Sequence, residues 1–265
     1  MEKSAKEKQF RAELKSFLNE KKRNFEWRKT RDPYKILVSE MMLQQTHVER
    51  VAGKYRTFVK RFPDPCILSK SSQKTVLRFW IGLGYNRRAF MLHRTAGEIC
   101  KIYGGKFPKN EKLLRTFPGI GSSTAGAILA FAFNMKSVFL ETNIRRVLIH
   151  HFFEKRKNIS DKEILSVLEI LLRKEKDFRS FYYALMDYGS WLGKNMKENP
   201  NKRSIRYKTQ GKFRGSTREL RGKIVKMIVS GIRLDVRNIE RETGFPRKKI
   251  KETLFKMKKD GFLKK

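Results

Sequence analysis

LLRTFPGIGSSTAGAILAFAF, residues 113–133, sets two apolar segments on either side of Pro118-Gly119-Ile120-Gly121, and the reading of that break decides the fold. The spacing predicts a helix, a tight turn and a second helix. Gly119 and Gly121 leave the turn backbone bare, so its N–H groups can approach a phosphate closely. Ser122, Ser123 and Thr124 then start a helix whose N-terminus carries partial positive charge and unpaired donors. Ala125, Gly126 and Ala127 are small enough for the two helices to pack tightly. An ordinary glycine-closed helical hairpin has the same pattern, and the segment alone does not separate the two readings.

The charge balance separates them. Lys and Arg number 63 against 26 Asp and Glu, a net charge of +37 in 265 residues. Such a field concentrates polyanions around the chain and favours nucleic acid as partner. In that setting the hairpin reads as a helix-hairpin-helix that grips a phosphate backbone without reading sequence. A membrane is the poorer partner, because no run of ~20 apolar residues exists to span a bilayer. MEKSAKEKQFRAELKSFLNEKK at the N-terminus mixes both charge signs at helical spacing, unlike a signal or transit peptide. The two cysteines, Cys66 and Cys100, are too few for a disulfide framework, and the chain reads as intracellular and cytoplasmic. They are also fewer than the about four thiolates of an iron–sulfur cluster. His47, His93, His150 and His151 lack metal-ligand spacing, so no metal is expected.

Elsewhere strand signals are scarce. ELKSFL, KYRTFVKRF, LRFWIGLGY and EILSVLEILLRK repeat apolar residues at three- and four-residue spacing, and short breakers such as Asp32-Pro33 and Gly104-Gly105 punctuate them. The fold class is all-α. GKNMKENPNKRSIRYKTQGKFRG, from Gly193 to Gly215, is basic and nearly free of apolar periodicity, as a linker or extended arm would be. Three short helical patterns follow. In the last, Ile250, Leu254 and Met257 share a face, and the segment resembles a helix-turn-helix or winged-helix module; a three-helix cap would use the same spacing.

ILVSEMMLQQT, residues 36–46, sets one carboxylate, Glu40, among apolar neighbours: a surface glutamate on an amphipathic helix, or a proton donor in a pocket. Here the motifs converge. PYKILVSEMMLQQT, GLGYNRRA, GGKFP, PGIGSSTAGAI and ETNIRRVL occur in this order and resemble the helix-hairpin-helix DNA glycosylases, most closely the adenine-specific mismatch (MutY) family. The match runs from about Trp27 to Trp191.

The resemblance implies a two-lobed core: residues 25–135 as a helical bundle carrying the hairpin, and 1–24 with 136–195 as a second lobe. Residues 196–215 then form a basic linker and 216–265 the C-terminal module. It also implies a chemistry. Removing a purine needs a flipped nucleotide, a protonated leaving base and a stabilised oxocarbenium-like sugar. Glu40 matches the family's catalytic glutamate, which would protonate the adenine ring nitrogen; a poorly solvated carboxyl keeps its proton more easily. Where the family has an aspartate before Gly-Asn, this chain has Glu141-Thr142-Asn143. Glu141 would stabilise the cationic sugar, with Asn143 orienting the pair, or else it is a carboxylate complementing a helix dipole. Ser123 stands where strand-cutting relatives carry a Schiff-base lysine, so the chain reads as monofunctional.

Gln44 and Gln45 resemble residues that enter the gap at the lesion, and Tyr85 an intercalating wedge. Trp27 and Arg28 would line the base pocket beside Ser123 and Tyr183. Tyr183 replaces an amide or acid of the relatives, which bears on base choice. Asp187 reads as a structural helix cap. Gly193 occupies the place of the family's first cluster cysteine, so no iron–sulfur cofactor is expected, and the DNA-contacting loop passes to Lys202, Arg203, Arg206, Lys208 and Lys212. The family's 8-oxoguanine-sensing domain is replaced by the small basic module. By resemblance, a monovalent cation sits on backbone carbonyls of the hairpin turn. The expected partner is double-stranded DNA with a mispaired or damaged base, bound by a monomer. The expected reaction is excision of adenine opposite 8-oxoguanine or guanine. The alternatives are a glycosylase for thymine or uracil in G mismatches and a catalytically silent DNA-binding protein.

Overall fold

The structure, a computed structural model, describes residues 2–21, 23–154 and 156–263. Among these, fourteen α-helices follow one another: α1 (Glu2–Lys21), α2 (Pro33–Leu43), α3 (Val48–Arg61), α4 (Pro65–Lys70), α5 (Gln73–Trp80), α6 (Arg87–Tyr103), α7 (Glu111–Leu114), α8 (Ser122–Phe133), α9 (Thr142–Phe152), α10 (Asp161–Leu172), α11 (Phe178–Asn195), α12 (Thr217–Ser230), α13 (Val236–Thr243) and α14 (Arg247–Lys259). The all-α expectation holds, and the described residues contain only one isolated β-bridge, Ile159 with Ser204. The chain forms two compact units. The first runs to Ile36 and adds 109–115 and 120–209; the second comprises 37–108, 116–119 and the segment from Gln210 onward. Helix α8, placed with the first bundle by sequence, thus clusters instead with α9–α11.

In the first unit α9 and α11 lie closest. Gly189 makes this approach necessary, since a Cβ there would fall 2.2 Å from the Asn143 carbonyl oxygen. Helix α1 covers the pair: Phe10 meets Phe152 edge-on at 5.2 Å and Phe17 meets Tyr188 at 4.9 Å. Burying such a side chain is worth about 1.5–3 kcal/mol, enough to hold a helix whose other faces are charged. A capping box starts α10: the Ser160 hydroxyl accepts from the Glu163 N–H, and the Glu163 carboxylate accepts from the Ser160 N–H. Gly126 on α8 faces Phe139, whose ring carbon would lie 2.7 Å from an added Cβ. Gly126 therefore admits Phe139, while the preceding helix α7 also packs against α8.

The stretch read as a linker is built into this unit up to Thr209. A 3-10 turn spans Pro200–Arg203, Asn201 is 3% exposed, and its amide donates to the Thr142 carbonyl at 3.0 Å. Ile159 N–H donates to the Arg203 carbonyl and Ile205 N–H to the Ile159 carbonyl. Apolar periodicity misses such a segment because polar side chains and backbone bonds hold it.

The second unit packs Tyr55, Phe58, Phe62, Trp80, Leu92 and Ile99 from α3, α5 and α6 into a core. Helix α4 carries Cys66 onto α6, where it forms a disulfide with Cys100, the Cα atoms 5.3 Å apart. Two cysteines make no framework, yet the i, i+34 pair meets in space and bonds, which sequence spacing does not reveal. The three C-terminal patterns become α12–α14 around Leu220, Ile224, Ile239, Ile250 and Met257. They join the same unit, with Phe262 edge-on to Phe90 at 4.3 Å and Asp260 paired with Arg221 at 2.6 Å. No described helix is long and apolar enough to cross a membrane.

Candidate active site

In the first unit the predicted residues meet at the start of α9. The Ser123 hydroxyl, exposed at the head of α8, donates to the Leu140 carbonyl at 2.9 Å and fixes the residue before Glu141. Glu141 is the N-cap: Oε1 accepts from the Asn143 and Ile144 backbone N–H groups, both at 2.8 Å. Its Oε2 accepts from the Asn143 side-chain amide at 3.2 Å. The capping alternative and the catalytic one are thereby compatible, since each uses a different oxygen. The Asn143 Oδ1 accepts from Arg146 at 2.9 Å. A guanidinium can only donate, so Arg146 dictates which end of the Asn143 amide faces the carboxylate. Arg146 also donates to the Gly189 carbonyl at 2.5 Å and to Asn199 at 3.1 Å.

Burial raises the Glu141 carboxyl above its usual range, and the two capping N–H groups and the Arg146 and Arg145 charges pull it back. The result is an acid whose anion is held ready by donors yet little hydrated. Arg146 stands in the quoted ETNIRRVL motif, but its role was missed; an arginine three residues past an asparagine gives no local sign that the two side chains bond.

The base-pocket residues distribute differently. Arg28 forms a two-pronged pair with Asp187, both contacts 2.8 Å, and its guanidinium lies 4.4 Å over the Tyr183 ring. Tyr183 stacks on Phe131 at 4.3 Å. Trp27 is 4% exposed and stacks on Phe25. Asp187, read as a cap, sits inside α11 and instead gathers Arg23 and Arg28 at 2% exposure. Arg203 is half-buried and donates to the Ile149 carbonyl near the end of α9, so it is committed to the fold, whereas Lys208 is exposed.

In the second unit Glu40 is half-buried near the end of α2, between Ser39 and Met41 at 1% and 0% exposure. A wholly exposed surface glutamate is thus excluded. Met41 packs under the hairpin turn, so Gly119 beside it has no room for a side chain. Past Glu40 the helix ends on Arg88, whose guanidinium donates to the carbonyls of Met41, Met42 and Gln44 at 2.5, 3.0 and 2.6 Å. The same group reaches the Gly84 carbonyl at 3.0 Å, tying α2 to the loop that presents Tyr85. Burial lowers its pKa to about 10, partly opposed by Tyr85. Arg88 is the second residue the sequence left without a role, although it satisfies carbonyls that every helix end exposes. Gln44, Gln45 and Tyr85 line a cavity of about 350 Å³ with Arg87, Arg88 and Arg221; Glu40 is not among its walls. Gln45 and Tyr85 both adopt left-handed backbone, φ 52° and 45°.

A profile of the HhH-GPD superfamily of base excision DNA repair proteins matches residues 38–174. The chain belongs to this superfamily. An adenine DNA glycosylase of Buchnera aphidicola (subsp. Baizongia pistaciae) is 40% identical over 177 residues, 66% of this chain and 49% of that protein. A thymine/uracil-DNA glycosylase of Methanothermobacter thermautotrophicus is 33% identical over 190 residues, covering 70% of this chain and 85% of that one. A solved thermostable thymine-DNA glycosylase superposes with a TM-score of 0.67 at 28% identity, over 75% of this chain and 93% of that one. The chain spans about half the length of the Buchnera relative.

An iron–sulfur cluster of the kind the MutY resemblance brings does not fit the residues at its expected place. At Gly193 a side chain would begin 2.6 Å from the Arg146 guanidinium carbon, and both cysteines are bound to each other elsewhere. The described residues offer no group of three or more His, Cys, Asp and Glu able to hold a metal.

Proposed function

We propose that this superfamily member is a monofunctional DNA N-glycosylase of base excision repair, hydrolysing the glycosidic bond of adenine mispaired with 8-oxoguanine or guanine. The observation that carries the reading is the Glu141 carboxyl. One oxygen is closed by backbone N–H groups and the other is met by an amide that Arg146 orients. Such a group stabilises positive charge developing beside it without first having to be reorganised. In the reaction, Glu40 donates its proton to the adenine ring nitrogen, and the C1′–N9 bond breaks with its electron pair leaving on the neutral base. Glu141 holds the oxocarbenium-like sugar. Water adds to C1′, releasing a proton and leaving an abasic site. Ser123 offers no amine for an imine, and its hydroxyl is already bonded to Leu140.

The exposed Gly121, Ser122 and Ser123 at the head of α8 support phosphate binding by its free N–H groups. The turn carbonyls, of which that of Pro118 already accepts from Thr95 at 2.7 Å, would carry the implied monovalent cation; hydrolysis takes no step through it. The partner is double-stranded DNA, bound by a monomer.

One observation favours a second reading: Tyr183, stacked between Phe131 and Arg28, is large where adenine-removing relatives carry an amide or acid. With it stands the thymine/uracil relative, matched over most of its length. Single-turnover assays on duplexes bearing A·8-oxoG, A·G, T·G and U·G test both. Adenine release from the first two is expected; release of only thymine or uracil would replace the reading. Glu40→Gln is expected to abolish release while DNA binding persists, and a variant that turns over like the parent would remove Glu40 from the mechanism.

A further inference from the structure

The arm that follows α11 in the first unit, from Gly193 to Thr209, runs along α9 and reaches the candidate carboxylate. Helix α11 presents Gly189 and Gly193 one turn apart, and each lies against a residue of α9. A Cβ at Gly189 would meet the Asn143 carbonyl, and one at Gly193 would lie 2.6 Å from the Arg146 guanidinium carbon. Bare backbone gives these two residues room but sets no orientation. The arm supplies it. Asn199 Oδ1 accepts from Arg146 Nε at 3.1 Å, while a terminal nitrogen of the same guanidinium donates to Asn143 Oδ1 at 2.9 Å and to the Gly189 carbonyl at 2.5 Å.

A guanidinium is a rigid planar fork, so holding Nε and one terminal nitrogen leaves it a single orientation. With Nε fixed on Asn199, the fork points at Asn143, whose amide then meets Glu141 Oε2 at 3.2 Å. The arm has anchors of its own besides this contact. The Asn199 side chain also accepts from the Asn201 N–H at 3.1 Å, which starts the 3-10 turn. The Asn201 amide holds the Thr142 carbonyl at 3.0 Å, and Arg203 holds the Ile149 carbonyl at 3.2 Å. The charged and titratable groups facing the relay are Arg145 beside Glu141 and the Tyr207 phenol of the arm beside Arg146.

We infer that Asn199 is a positioning residue for the reaction: through Arg146 and Asn143 it aims the Glu141 carboxylate, and the arm that carries it takes over a place where the family resemblance sets a metal cluster. Asn201, bonded to a backbone carbonyl instead, anchors the arm. The inference rests on the proposed reading in taking Glu141 as the group that stabilises the sugar.

Two measurements on the full chain test it. Single-turnover base release is followed against pH on whichever mismatched duplex the parent turns over best. The Glu141 carboxyl carbon is titrated by carbon NMR, its signal identified by its loss in Glu141→Gln. Asn199→Ala and Asn199→Ser both withdraw the oxygen from Arg146. The serine keeps a hydroxyl that caps the 3-10 turn, so a folding loss in the alanine variant leaves the test intact. Both are expected to lower the rate about tenfold. Both should also move the acid limb and the carboxyl titration together to higher pH, because a turned Arg146 lowers the Glu141 pKa less. In an Arg146→Met background the Asn199 substitution should add less than about twofold, since the two residues act as one unit. Asn201→Ala, which loosens the arm without withdrawing a partner from Arg146, should leave the carboxyl titration at the parent's. A titration that neither Asn199 variant moves, or losses that multiply with those of Arg146→Met, overturn the assignment; so does an Asn201→Ala shift equal to that of Asn199→Ala. If the parent releases no base, the glycosylase reading fails, and the carbon titration still decides the relay.

Discussion

At Gly119 the backbone turns through φ +79°, and a Cβ there would lie 2.9 Å from both Met41 Cε and Met91 Cβ. At Gly121 φ is −86° and nothing lies within 4 Å of the added carbon. Both residues look alike in the PGIG motif, yet only the first is required by the fold. Gly119→Ala is expected to lower stability by about 2 kcal/mol, through left-handed strain and overpacking, and Gly121→Ala by less than about 0.5. Urea unfolding of the two variants decides it; equal shifts would refute the distinction. The Glu141–Asn143–Arg146 relay yields a second expectation. In Arg146→Met the Asn143 amide loses the donor that orients it, and the carboxyl loses a charge that lowers its pKa. If the reaction uses the Glu141 anion, raising that pKa moves the acid limb of the single-turnover rate profile to higher pH. The rate should fall at least about tenfold, as small misplacements do. A variant with a lowered rate but an unmoved acid limb would make Arg146 structural only.

Among the elements, α9 is fastened at both ends by polar groups, and its far end gives a pH prediction. His151 bonds the Tyr188 hydroxyl at 3.1 Å and packs near Phe10, with Glu13 of α1 at 3.6 Å. Burial first, then the charge of His150 and least that of Lys6, pushes its pKa down to about 4, against an upward pull from Glu13. The imidazole is therefore neutral in the fold and protonates earlier in the unfolded chain. Its contribution is full above the ordinary value of 6.5 and is lost as pH falls from there toward 4, worth up to about 3 kcal/mol. His151→Phe should flatten the stability profile in that window, read by urea midpoints at pH 7 and 4.5; an unchanged slope would assign the acid sensitivity elsewhere. Helices of this kind were legible in the sequence because apolar residues recur at helical spacing and Ser160, Asp235 and Ser216 sit where caps belong. The partners that polar groups choose across the chain were not legible. Arg88 binding the end of α2, Asn201 binding Thr142 and Cys66 meeting Cys100 join residues dozens of positions apart, where local pattern carries no information. Glu40 and Glu141 were singled out through motif order, and their local settings emerge only from coordinates.

Over the whole molecule, a net charge of +37 means that much of any DNA affinity comes from releasing counterions. With six to ten phosphates contacted, affinity should drop about 10³–10⁵-fold between 50 and 200 mM salt. Where those contacts lie is a sharper question, because the charge is on both units. Lys202, Arg206 and Lys208 are exposed on the first, and Arg247, Lys248, Lys251 and Lys256 on α14 of the second. Helix α14 buries Ile250, Thr253 and Met257 and so turns a basic face outward, as a helix reading a groove would. If that face lies on the phosphate backbone, replacing Lys248 and Lys251 with Gln removes about two contacts and lowers the slope of log affinity against log salt by about 1.8. Base preference would be untouched, since phosphate contacts position a protein without specifying sequence. A slope that does not change would mean α14 faces away from DNA. Salt titrations of parent and double variant on one duplex separate the two arrangements.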